Sequence, residues 1–160
     1  KNGETSLCLK YKQILEDIAT LPDDEYVLVL EDDVIFKEDP FEYINKIISE
    51  CKTNNINFDC VFMGEAAMRV GDNRDVFFRK EHPATNGLCT ILYNVGSAKK
   101  LLNNLNMFHI DHALDWHFNR IFEEMKFNVY WGKAITEHGS VIAVHDESRK
   151  DLKSSLRSHY

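Results

Sequence analysis

The stretch Tyr26-Val27-Leu28-Val29-Leu30-Glu31-Asp32-Asp33-Val34 (YVLVLEDDV) turns from an unbroken apolar run to three successive carboxylates. The run is short, contains β-branched residues, and has no polar alternation. It reads as a strand buried on both faces, typical of the centre of an α/β sheet. Carboxylates crowded at the carboxyl end of such a strand repel one another unless a cation or donor groups neutralise them. Oxygen ligands suit hard cations, so Mg²⁺ or Mn²⁺ is the expected ion, with phosphate oxygens completing its shell. Ligands of open α/β sheets bind beyond the carboxyl ends of the strands, where this triplet stands.

Outward from this stretch, helix and strand signals alternate. Leu7, Tyr11, Ile14, Leu15 and Ile18 follow helical spacing and predict a helix over ~6–20, closed by Leu21-Pro22-Asp23-Asp24. Asp39-Pro40 opens a second helix, with Asp39 as N-cap and Phe41, Ile44, Ile48 and Cys51 as its core face. Phe58 to Met63 predicts a strand, and Val76-Phe77-Phe78 a shorter one after the turn residues Gly71-Asp72-Asn73. Cys89 to Tyr93 and Phe127 to Trp131 predict two more strands. Helices are expected from Ser97 through Leu102 and over ~111–125. This order predicts an α/β domain with a mainly parallel sheet flanked by helices.

Bulk properties narrow the function classes. The chain has 160 residues, 44% hydrophobic and 28% charged, enough for one core. Acidic residues outnumber basic ones 26 to 19, for a net charge of -7, which argues against nucleic acid as a partner. No apolar stretch reaches the ~20 residues of a membrane-spanning helix. The compartment stays open: cytoplasm or viral factory, or a lumen if a longer parent carries a signal. Cys8, Cys51, Cys60 and Cys89 form no CxxC pair, so free thiols are expected, with a disulfide left as the alternative. A phosphoacceptor pocket would need a second Asp at a strand's carboxyl end, and Asp59 stands at the start of its strand.

Several segments in order resemble glycosyltransferase family 25, the lipooligosaccharide and procollagen galactosyltransferases and their viral relatives. They are the first helix, VLVLEDDV (27–34), FDCVFMG (58–64), HPATNGLCTILYNVGSAKKLL (82–102), IDHALDW (110–116) and VYWGKAITEHGS (129–140). The resemblance implies a GT-A-like catalytic domain over 1–145 with a polar tail at 146–160. The family's opening strand-helix-strand part, which helps hold the nucleotide base, has no counterpart here, so the domain is expected to be incomplete at its N-terminus. The implied activity is inverting, metal-dependent transfer of galactose or glucose from a UDP-sugar to a glycan or protein hydroxyl. The alternative is a non-catalytic relative serving as a sugar- or nucleotide-binding module.

The resemblance also implies roles. Asp33 is the expected metal ligand, and Glu31 and Asp32 the contacts to ribose or donor sugar. Asp111 is the candidate base, with Asp115 one turn on along the same helix face. By its position alone, Asp111 reads equally well as a helix N-cap. His112 is expected at the sugar pocket, and Glu137 at the substrate. His138 stands where the family has Gln and is a candidate metal ligand, with His145 as the other. Tyr93 and Trp131 are candidates for stacking on sugar, against a reading as core aromatics.

Overall fold

The apolar runs form strands. The structure, a computed structural model, describes residues 2–64, 77–85, 87–105 and 112–138. The first helix, α1, spans Asn2–Ile18 and buries Cys8, Tyr11, Leu15 and Ile18. Strand β1 (Tyr26–Leu30) follows, then β2 (Val34–Phe36), helix α2 (Pro40–Thr53) and β3 (Cys60–Gly64). After β4 (Phe78–Arg79) and β5 (Thr90–Asn94) come α3 (Val95–Asn104), α4 (Leu114–Glu124) and β6 (Val129–His138). Asp39 caps α2 as expected, its side chain accepting from the Phe41 amide at 2.9 Å. The turn at Gly71-Asp72-Asn73, Val76 and the 146–160 tail lie outside the described residues.

The α/β class holds, but the mainly parallel sheet does not. One six-stranded sheet runs in the order β1-β5-β3-β6-β2, with β4 beside β6. Only β3 and β6 pair in parallel; β1–β5, β3–β5, β2–β6 and β4–β6 are antiparallel. A parallel pair needs a long crossover. Such a crossover, through α3 and α4, precedes β6, whereas no helix is described between β3 and β5. A second correction concerns β1, which is the sheet's edge strand among the described residues. Only Val29 of its five residues is buried. An apolar run reports burial potential and does not report how many neighbours a strand has.

Alternation within the central strands splits the core in two. Cys60 and Phe62 of β3, Ile91 and Tyr93 of β5, and Val129 and Trp131 of β6 face one cluster with α1, α3 and α4. Val61, Met63, Leu92 and Ile135 face the other with α2. Helices therefore cover both faces, as the period of two along each strand requires. On α2, Ile47 takes the core place expected of Phe41, which is 71% exposed. The α2 face is pinned where Tyr43 Oη accepts from the Lys133 amide at 2.6 Å. Asp59 pins the opposite end of the sheet. It accepts from Ser97 Oγ and, at 2.6 Å, from the Asn128 amide, a structural role in keeping with its place at the start of β3.

The sheet curls at the carboxyl end of β1. Three steps of a flat sheet separate β5 from β2, and β1 lies one further out, about 19 Å in total. Yet only Glu31, Asp32 and Asp33 separate β1 from β2, a reach of about 14 Å from Leu30 to Val34. The difference is absorbed by β6, whose pairing with β3 shifts register between Phe62 and Gly64. The bend brings Thr136 of β6 to Thr90 of β5, their hydroxyls 2.5 Å apart and buried.

Gly64 sits at this bend, and a Cβ there would lie 2.2 Å from Cys89 Sγ. Gly64→Ala is expected to lower unfolding free energy by about 1–3 kcal/mol through overpacking. Adding Cys89→Ala should recover part of that loss; urea melts of the single and double variants check both.

Candidate functional site

The curl assembles the site. Past Leu30 the Glu31 amide donates to Cys89 O at 3.0 Å, so the triplet begins as a continuation of the β1–β5 ladder. Asp32 and Asp33 then turn the chain toward β2. Asp32 is exposed, and Glu31 and Asp33 are half-buried. Val34 is paired in register with His138, and Ile35 with Glu137. Asp33 therefore adjoins the backbone position of His138, 105 residues away in sequence but at the same end of the sheet. The side chain of His138 lies outside the described residues, as do Asp111 and His145. Glu137 is half-buried, with Lys37 Nζ 3.6 Å from its Oε1.

Among the described side chains no group of three His, Cys, Asp or Glu gathers around a point. The donor chemistry nonetheless fits a hard cation. One or two carboxylates suffice for Mg²⁺ when phosphate and water supply the remaining oxygens. Glu31, Asp32 and Asp33 offer such oxygens on one short turn.

Tyr93 and Trp131 belong to the core. Tyr93 is 0% exposed, and Trp131 is 1% exposed with its Nε1 donating to Ala84 O at 2.7 Å. Neither ring offers a face on which a sugar could stack, so the core reading replaces the stacking one. Both lie on strand positions whose side chains point into the α1–α3–α4 cluster. Burial pushes the Tyr93 phenol well above its usual 10.0, and the neighbouring Tyr11 and Cys60 add to the rise. Burial does the same to Tyr11, reinforced by the charge of Glu31, while its hydroxyl donates to Leu88 O at 2.7 Å.

The fold holds both phenols neutral, whereas the unfolded chain ionises them near 10.0. Their contribution to stability is complete below that value and is lost as pH rises above it. Urea midpoints should therefore fall between about pH 9.5 and 11. The fall should flatten in Tyr11→Phe/Tyr93→Phe; an unchanged slope contradicts this account.

A loop carries the site toward α4. Asn119, fully buried on α4, accepts the amides of Ala84 and Thr85 at 2.6 and 2.9 Å and donates to Thr85 O at 2.7 Å. This staple fixes the loop that ends at Cys89, the partner of the Glu31 amide. On the outer side of the same loop lies a cavity of about 460 Å³, lined by His82, His112, Ala113, Trp116, Arg120 and Glu123. His112, expected at a sugar pocket, lines this cavity. Asp115 is half-buried in the first turn of α4, its Oδ1 accepting from the Trp116 amide at 2.9 Å. The other wall residues went unassigned in the sequence. Trp116, Arg120 and Glu123, at helical spacing on one face of α4, were the available signal.

No family model matches the chain, and no curated protein matches it. No described helix is long and apolar enough to cross a membrane.

Proposed function

We propose that this chain is a GT-A-like, metal-dependent hexosyltransferase that moves galactose or glucose from a UDP-sugar to a glycan or protein hydroxyl. One observation carries the reading: the acidic triplet stands at the curled carboxyl end of the sheet, with Asp33 adjoining the His138 position. The resemblance of the ordered segments to family 25 supports it.

Asp33, with His138, would hold Mn²⁺ or Mg²⁺, and Glu31 and Asp32 would contact the ribose or sugar hydroxyls. When bound, the ion offsets negative charge developing on the departing diphosphate. Asp111 takes the proton of the acceptor hydroxyl as that oxygen bonds to the anomeric carbon. The bond from that carbon to the UDP oxygen breaks on the opposite face, inverting the centre. Asp115, in the first turn of α4, is the second carboxylate proposed on the acceptor side. Glu137 and His112 complete the proposed substrate contacts.

Release of UDP from UDP-galactose and UDP-glucose, with Mn²⁺ and with chelator, tests the proposal. Metal-dependent release supports it. Release unchanged by chelator, or none from either donor with metal present, counts against it.

A further inference from the structure

The 460 Å³ cavity beside α4 falls within the ~300–1,000 Å³ typical of small-molecule sites. Its wall is unusual for this chain. Trp116 presents a ring that is 50% exposed, whereas Trp131 is 1% exposed. A large aromatic left half in solvent at a cavity wall offers an apolar face to a flat, partly apolar ligand.

Around it stand Arg120, His82 and His112, opposed by the single carboxylate of Glu123. With imidazoles counted neutral, as in the chain's net charge of -7, Arg120 and Glu123 balance, so this wall is locally neutral within an acidic chain. The guanidinium of Arg120 is held in place, its NH2 group 3.1 Å from His117 Nδ1. Its pairing with Glu124, at 3.9 Å on the surface, is weak. His82 Nε2 lies 3.6 Å from Glu123 Oε2, which ties the loop wall to the helix wall. Ala113, at the N-cap of α4, supplies no side-chain acceptor to the helix's first amides. Asp115 in the first turn accepts the Trp116 amide and offsets part of the positive potential of this helix end.

We infer that this cavity binds a sugar residue bearing an anionic substituent, a carboxylate or a phosphate monoester, with its ring on Trp116 and its charge at Arg120. The inference rests on the hexosyltransferase reading for its place in the reaction: the cavity is the acceptor's seat. The cavity is walled in part by His82, and further along the same connection Cys89 O accepts the Glu31 amide, which links this wall to the triplet along the chain. An apolar ring face beside a guanidinium whose surface pairing with Glu124 is weak suits such a ligand better than a neutral hexose.

The test is direct binding, read independently of transfer. Because Trp131 is shielded in the core, quenching by an added ligand reports mainly on Trp116. Glucuronic acid, glucose 6-phosphate, glucose, and UDP with Mn²⁺ are titrated separately into the whole chain at fixed ionic strength. Saturable quenching by one or both anionic sugars, at least tenfold tighter than by glucose, supports the inference, and the stronger of the two identifies the anion. Arg120→Gln, with an unchanged circular dichroism spectrum, should weaken that binding about tenfold and leave glucose binding as it was. Equal quenching by glucose and the anionic sugars, no saturable quenching by any sugar, or quenching by UDP alone overturns it. Anionic-sugar binding without donor turnover would retain the site and remove only its assignment as acceptor seat.

Discussion

Asp33→Asn is expected to lower metal-dependent turnover of the UDP-sugar by about a thousandfold, the equivalent of about 4 kcal/mol of lost transition-state stabilisation. The substitution preserves shape and removes the charge that a hard cation requires. Asp33 is half-buried at the turn into β2, beside the register position of His138. Asp32, by contrast, is exposed, so Asp32→Asn should cost less, about tenfold, by weakening a hydroxyl contact without removing the ion. The asymmetry discriminates better than either loss alone. Steady-state rates at saturating Mn²⁺, with thermal melts to confirm folding, measure it. Equal losses from the two substitutions would mean that the triplet acts as a generic acidic surface.

The second large effect concerns stability. Asn119→Ala removes an acceptor from the amides of Ala84 and Thr85 and a donor from Thr85 O, all in a buried setting. Each buried polar group left without a partner costs about 1–3 kcal/mol, so a total loss of about 3–5 kcal/mol is expected. Asn119→Asp keeps the acceptor but loses the donor and buries a charge, and should be no milder. Urea denaturation checks the magnitude. The loop from Ala84 to Cys89 also holds the Glu31 amide, so hydrogen exchange at Glu31 should accelerate in Asn119→Ala before the whole chain unfolds. A loss under 1 kcal/mol, with exchange unchanged, would show that other contacts hold the loop.

Local signals in the sequence carried most of the elements and little of their arrangement. The runs at 26–30, 58–63 and 89–93 could be read as strands, each within two residues of its observed bounds, because β-branched and aromatic residues cluster there without helical spacing. The same runs do not encode strand direction or sheet position, which depend on what the connections do. Hence β1 was placed at the centre and lies at the edge, and a mainly parallel sheet proved mostly antiparallel. Strand β2 was not anticipated at all, since three residues after an acidic turn carry too little periodicity. Cys8, Cys51, Cys60 and Cys89 are buried and outside any disulfide, as the apolar patterns around the first three suggested.

The candidate site was legible in a similar proportion. The triplet announced itself through chemistry, because adjacent carboxylates after an apolar run are electrostatically costly. Its closeness to residues 137–138 depends on a sheet curl that no local pattern encodes, and only the family resemblance brought His138 into consideration. Tyr93 looked available at the end of a strand, but the period of two sends it into the core. The cavity needed the structure, since His82 meets Trp116, Arg120 and Glu123 only when the loop folds onto α4.

The central claim is that a divalent cation at the turn after β1 anchors a donor's diphosphate. Calorimetric titration of UDP into the chain, with and without Mn²⁺, tests it most directly. The account predicts saturable, one-to-one binding that requires Mn²⁺ and disappears in Asp33→Asn. Binding of equal strength without the ion, or unaltered in that variant, would contradict it.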